Sequence, residues 1–344
     1  MPALDLAIRI RVERCPIPVV WLDTHVLIRL ALLEVGRLDP SLVPAYSALE
    51  SRLSKLVARN AIVCPKVDQH SEVWGPDRPL FMDKLTTISM GVDMKPKLAI
   101  DDGQTWKLMS AYIKGVREVV FSYRDGFYKD PLREIEETRL QRFIVTVDMG
   151  VFPSVEKAKA QRESLHKAWE EMRQRRLAEG ASYEEQKELE RRARFSAVFG
   201  LARDAIATVM KGGWPDLNEL EGYKHIMTMV EVWDRLGGTP KGLAGLVRFI
   251  DSNHYAAHLI NDIEATLLAR LMTGTELIQS GDEMDIDQIA TVLPFADLMI
   301  VDRKMRHYLH KLGLADRYGA KVCGVHEWDE INDYLDAVAV PYAR

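Results

Sequence analysis

The sequence predicts an α/β protein whose central parallel sheet is interrupted by a large, mainly helical insertion. Three observations carry this expectation. Short apolar runs rich in β-branched residues alternate with helical stretches near both ends of the chain, as in a parallel sheet covered by helices. From about Trp74 to Gly281 the alternation stops and the chain is mostly helical in character. The length of 344 residues exceeds the roughly 100 to 200 of one ordinary domain, so two domains, or one with an insertion, are expected.

The first strong element is Ile17 to Leu22, led by Pro16 and Pro18 and ended by Asp23, which reads as a buried parallel strand. VLIRLALLEVG follows Asp23-Thr24, apolar nearly all round and closed by Gly36, so a helix follows the strand at once. Ala45 to Arg59 repeats apolar positions at helical spacing, and Ala61 to Cys64 reads as a second short strand stopped by Pro65. A further helix is expected to carry Asp68, His70 and Glu72. Glu156 to Arg194 is unusually charged, with Glu163/Lys167, Glu171/Arg175 and Glu188/Arg192 at i,i+4. It predicts an exposed helical hairpin broken near Gly180, with a basic arm of Arg173, Arg175, Arg176, Arg191, Arg192 and Arg194 as the alternative.

Gly237-Gly238-Thr239-Pro240 is turn material, since GGTPKG lacks the order of a phosphate-binding loop. Leu243 to Met272 then predicts one or two amphipathic helices. Alternation resumes with a helix from Asp285 to Leu293, a strand from Leu298 to Val301 ended by Asp302, and a strand from Lys321 to Val325. A final helix is expected from about Glu327 to Ala337.

Composition narrows the function classes. Hydrophobic residues make up 47% and charged residues 28%, so a disordered or fibrous chain is not expected. Lys plus Arg total 46 against 51 Asp plus Glu, so any nucleic-acid binding must use a local patch and not a global positive field. Cys15, Cys64 and Cys323 are widely spaced, which makes a disulfide framework or a thiolate zinc site unexpected and suits a cytoplasmic protein with inert core thiols. Arg9, Arg11 and Arg14 break the apolar N-terminus, unlike an export signal. No window approaches the ~18 to 20 uncharged apolar residues of a spanning helix, so no membrane partner is expected.

Asp23 and Asp302 each follow an apolar strand directly, and in open parallel sheets ligands gather beyond the carboxyl ends of the strands. Taken singly, each also suits a helix N-cap. Together with its surroundings, VVWLDTHVLI resembles the opening of a PIN-like nuclease; MDIDQIATVLPFADLMIVDRKM resembles that family's later block and KVCGVHEWDEI its last strand and helix. The resemblance covers roughly residues 16–80 and 282–344, leaving 81–281 as the insertion. It implies a PIN-like α/β/α sandwich with an acidic site of Asp23, Glu72, Asp285 and Asp302. Asp297 and Thr24 are possible additions, and Arg303 and Lys304 possible phosphate contacts.

Clustered carboxylates raise one another's pKa values and repel unless a cation lies among them. Mg2+ or Mn2+ is the natural cofactor, since hard cations prefer oxygen ligands and activate water for in-line attack on a phosphodiester. Asp23 and Asp302 are expected as direct ligands, with Asp285 completing the site and Glu72 binding a second metal or orienting the attacking water. The expected activity is hydrolysis of RNA in preference to DNA. Two other readings stay open: a catalytically weak module that binds nucleic acid, a protein partner or a second copy through the insertion, and a toxin-like ribonuclease restrained by a partner.

Several residues depart from the pattern or compete with it. His25 stands where the family usually has Asn, and Val301 where Thr or Ser often precedes the last Asp, so the hydrogen bonds around the site should differ. Asp287, two residues from Asp285, should point away from it on a helix. FIVTVD places Asp148 at a competing strand end, with Asp125 or Asp130 as its helical acid. His254 and His258 have i,i+4 spacing but no neighbouring Glu, while His307 and His310 accompany a basic cluster of Arg303, Lys304, Arg306 and Lys311.

Overall fold

The computed structural model describes residues 7–73, 75–140 and 155–339. In chain order the elements are β1 (Arg9–Val12), β2 (Val20–Leu22), α1 (Thr24–Glu34), α2 (Val43–Ala58), α3 (Arg78–Ser89), α4 (Lys97–Ile113), β3 (Glu118–Phe121), α5 (Pro131–Leu140) and α6 (Val155–Ala178). They continue with α7 (Tyr183–Met210), α8 (Leu217–Arg235), α9 (Leu243–Ile250), α10 (Asn253–Ala256), α11 (Leu259–Thr273) and α12 (Asp282–Val292). The last are β4 (Leu298–Val301), α13 (Arg303–Lys311), α14 (Leu314–Tyr318), β5 (Lys321–Gly324) and α15 (Trp328–Ala339). The fold is mixed α/β and mostly helical. Among the described residues no helix is long and apolar enough to cross a membrane.

The described residues form two compact units. One lies within 12–100, 122–172 and 276–344, the other within 1–11, 101–121 and 173–275. Residues 81–100 and 122–172, read from the sequence as insertion, therefore belong to the same unit as the sheet.

The sheet unit is built on three parallel strands in the order β2-β4-β5. Val20 pairs with Leu298 and Leu22 with Ile300, while Ile300 also pairs with Cys323 on the other side. Alternate residues point to opposite faces of a strand. Val20, Leu22, Leu298, Ile300 and Cys323 join a cluster with buried residues of α1, α2, α3 and α15. Trp21, Met299 and Val301, at the intervening positions, are buried as well. Burial on both faces explains the unbroken apolar runs in the sequence.

Two expectations are corrected here. Residues Ala61 to Cys64 make one parallel bridge, Val19 to Val63, and not a strand. Val20 N–H donates to the Val63 carbonyl at 2.8 Å and Val63 N–H to that of Pro18 at 2.9 Å, before Pro65 ends the pairing. The helix expected over Asp68, His70 and Glu72 is a single 3-10 turn, Asp68–Ser71, with Glu72 closing it. Gln69 holds the turn, its Oε1 accepting from Val67 N–H at 2.8 Å and its Nε2 donating to the Leu22 carbonyl at 3.3 Å.

The helical unit packs α7 against α8 and α11. The long charged helices α6, most of which belongs to the sheet unit, and α7, which belongs to the helical unit, are separated near Gly180, which has φ of 68°. The stretch from Leu243 to Met272 makes three helices where one or two were expected, because Ser252 and His258 each cap a new start. His254 and His258 are used structurally: His254 Nε2 meets the Val116 carbonyl at 2.7 Å, and His258 caps α11 and lies 3.2 Å from Asp101. Four residues of the alternative basic arm are engaged elsewhere. Arg173 is buried and donates to Gly274, Arg194 pairs with Asp101 and Glu264, and Arg191 and Arg192 pair with Glu188.

Asp148 lies outside the described residues. Its proposed helical partners have local work: Asp125 accepts from Ser122 N–H, and Asp130 accepts from Leu132 N–H at the start of α5 and pairs with Arg124. The three cysteines are free and buried, and burial pushes the Cys64 thiol up to about 12.

Ile300 sits in the middle strand with no exposure. Ile300→Ala is expected to cost about 2 to 5 kcal/mol. Urea unfolding should show a lower midpoint with an unchanged slope.

Candidate functional site

Parallel pairing brings the ends of β2 and β4 together at one edge of the sheet, and the chain leaves each strand through an aspartate that caps the next helix. Asp23 is buried, its backbone N–H donates to the Ile300 carbonyl at 3.0 Å, and its carboxylate accepts from His25 N–H at 3.1 Å. The His25 ring adds Nδ1 at 3.0 Å from the same oxygen. Asp302 accepts from the backbone N–H groups of Lys304 at 2.5 Å and Met305 at 3.1 Å. Each carboxylate thus satisfies free donors at a helix start, where the helix dipole favours negative charge.

The first turn of α12 carries Asp282, Glu283 and Asp285. Glu72 arrives from the 3-10 turn and is held by Gln288 of α12, whose Nε2 donates to Glu72 Oε1. Burial, and then the charges of Asp23, Glu72, Asp302 and Asp282, push the Asp285 carboxyl up to about 9. Burial pushes Glu72 up to about 7; the Thr24 hydroxyl and Arg162 pull it down, while Asp23 adds to the rise. Asp302 is raised by burial and by Asp23, against the pull of its two backbone donors and His25. All four acids expected from the sequence therefore share one electrostatic neighbourhood, and Thr24 lies in it.

Other expected residues fall elsewhere. Asp297 precedes β4, at the opposite end from Asp302; it accepts from Val19 N–H at 2.8 Å and faces Arg14 at 4.0 Å, so it ties the strand in place. Asp287 turns away from Asp285, as its spacing predicts, and pairs with Lys97 at 2.7 Å. Lys304 is taken up by Asp282 at 2.6 Å and the Leu277 carbonyl at 3.0 Å, whereas Arg303 is exposed at the start of α13. His310 meets the Val322 carbonyl and Arg306 pairs with Glu327, so the basic cluster is largely committed to packing.

Sequence reasoning missed Asp282, Gln288 and Arg162. The first two stand three residues to either side of Asp285, a spacing that puts helical residues on one face, and so were legible. Arg162 comes from the charged stretch read as a solvated hairpin, and nothing local marks it as a neighbour of Glu72.

Among the described residues no three His, Cys, Asp or Glu side chains converge as a ready-made metal cage. The donor set nonetheless fits a hard divalent cation: it is all oxygen, and burial together with the neighbouring acids raises the Asp285 carboxyl, a rise that a bound cation would relieve. His25 Nε2 is buried without a hydrogen-bond partner beside it. Comparison with protein families, with curated proteins and with solved structures finds no match to this chain.

An acid whose folded pKa is raised binds its proton more tightly when folded, so its contribution to stability is complete below the unfolded value and lost as pH rises towards the folded one. For Asp285 that window runs from 3.8 to about 9. The metal-free protein should lose stability across it, and Asp285→Asn should remove part of the loss. Calorimetry in chelator is expected to show the variant melting above wild type at pH 8, with the gap narrowing as pH falls towards 3.8; a variant that melts lower throughout overturns this electrostatic account.

Proposed function

We propose that this chain is a PIN-like, divalent-metal-dependent nuclease that hydrolyses phosphodiester bonds, in RNA in preference to DNA. The observation that carries the reading is the meeting at Asp285 of the fields of Asp23, Glu72 and Asp302, which arrive from two parallel strand ends and a 3-10 turn. A buried set of like charges costs stability, and a cation-dependent site is the function that such a cost serves. RNA over DNA rests on the sequence resemblance.

Bound Mg2+ or Mn2+ would neutralise phosphate charge and make water acidic enough to attack. Asp23 and Asp302 would hold it, each already fixed by N–H donors at a helix start. Asp285 would complete the site, since its carboxyl gives up its proton readily only when positive charge is near. Glu72, oriented by the bond from Gln288, would take the proton of the attacking water. Its pKa of about 7 suits a general base at neutral pH. No residue of the site is placed as a nucleophile, so hydrolysis proceeds without a covalent intermediate.

Mn2+ should raise the melting temperature of the wild type, by an amount that corresponds to about 2.7 kcal/mol at a hundredfold excess over Kd. The rise should vanish in Asp23→Asn/Asp302→Asn. Single-turnover cleavage of RNA should fall on the order of 100-fold or more in Asp285→Asn and in Glu72→Gln. Diverse RNA and DNA strands left intact by the wild type with Mg2+ and with Mn2+, without a thermal shift, would sink the nuclease reading.

A further inference from the structure

A cavity of about 480 Å3 opens beside Glu72 within the sheet unit. Its volume lies within the roughly 300 to 1,000 Å3 of pockets that enclose small organic groups. Ile28 and Leu32 of α1 and Leu80 of α3 form an apolar wall. The catalytic reading makes no use of this wall, since metal, water and phosphate need oxygen and charge.

Helix α6 contributes Lys159 and Arg162 to the same lining. Three residues apart, they share a face of the helix. Lys159 is exposed, and Arg162 lies close enough to act on the Glu72 carboxylate and also donates to Met284 Sδ at 3.1 Å. Of the acids in the lining, Asp77 is neutralised by Arg37 at 2.6 Å, which leaves Glu72 and Glu163 to face the two cations. The cavity therefore combines an apolar wall with Lys159 and Arg162, which Glu163 alone offsets once Glu72 is counted with the proposed metal site. That combination matches a nucleotide, whose base has apolar faces and whose backbone is anionic.

Resting on the nuclease reading, we propose that this cavity holds one unpaired nucleobase of the substrate, with Lys159 and Arg162 on the adjoining phosphate. A base within a duplex is stacked on both faces and cannot enter a side pocket without being extruded, at a cost of a few kcal/mol. Single strands and loops avoid that cost. The pocket thereby selects single-stranded nucleic acid. Its apolar walls grip the faces of the base and leave identity to the edges, so any base discrimination is modest.

The test uses the full chain with Ca2+ in place of Mn2+, and fluorescence anisotropy of a labelled ten-nucleotide RNA, its duplex, and versions with one abasic site at each position in turn. The single strand should bind at least tenfold tighter than the duplex, and one abasic position should cost about tenfold, in line with the usual worth of a held base. Leu80→Trp, which fills the cavity, should remove the dependence on that position. Should Leu80→Trp fail to fold, Lys159→Ala at an exposed site should weaken binding and lower the salt dependence by about one phosphate. Equal binding of duplex and single strand, a uniform loss at all abasic positions, or unchanged binding in both variants overturns the pocket while leaving cleavage with Mn2+ intact. Neither binding nor cleavage of any strand overturns the pocket and the nuclease reading together, and an apolar peptide that binds in place of RNA overturns both in favour of a protein-binding groove.

Discussion

The parallel pairing of β2 with β4 is the constraint on which the site depends. With Leu22 opposite Ile300, the residues that follow both strands leave the sheet at the same edge, and both are aspartates. A shift of one residue in that register would send Val20 and Leu22 to the opposite face and would separate the two carboxylates as well. Burial on both faces fixes the register, because every residue of β2 and β4 is packed. The burial of these strands and the position of the two aspartates are thus the same fact.

The helix starts make the arrangement tolerable. Asp23 and Asp302 each do the work of an N-cap, so much of the desolvation of these acids is met by backbone N–H groups that needed a partner in any case. Asp285 has no such compensation; its carboxyl is the one that rises furthest among these acids. Asp282, one turn earlier, is drawn off by Lys304 and by Gln279 N–H at 2.6 Å, which keeps a fifth acid paired within the cluster. The buried residues Ile286, Ile289 and Ala290 anchor α12 while Asp285 and Gln288 take the side facing Glu72.

Much of this was legible in the sequence, for reasons that can be named. The strands of the sheet announced themselves as apolar runs because both faces are buried, and their ends because Asp stops such a run and starts a helix. Asp287 was separable from Asp285 by helical geometry alone. The turn that delivers Glu72 was not legible as a turn: its conformation depends on Gln69 reaching Leu22, a contact with a residue far away in the chain. The division into units was hidden for the same reason, since residues 122–172 look like the rest of the helical stretch and differ only in what they pack against. Arg162 belongs to that hidden part.

His25 and Val301 bear on how the carboxylates are steadied. An Asn in place of His25 would offer an amide donor to its neighbour; His25 offers both its backbone N–H and Nδ1 to the same oxygen of Asp23. Val301 is fully buried in the middle strand and has no hydroxyl to give, and Asp302 is held by two backbone donors of α13 instead. Neither departure leaves a carboxylate without a positioning hydrogen bond. The difference is in the second ring nitrogen: with Nδ1 bonded to the carboxylate, Nε2 is left buried without a hydrogen-bond partner. A shorter amide side chain has no such second ring nitrogen, so His25 steadies Asp23 at the cost of one buried polar atom with no hydrogen bond.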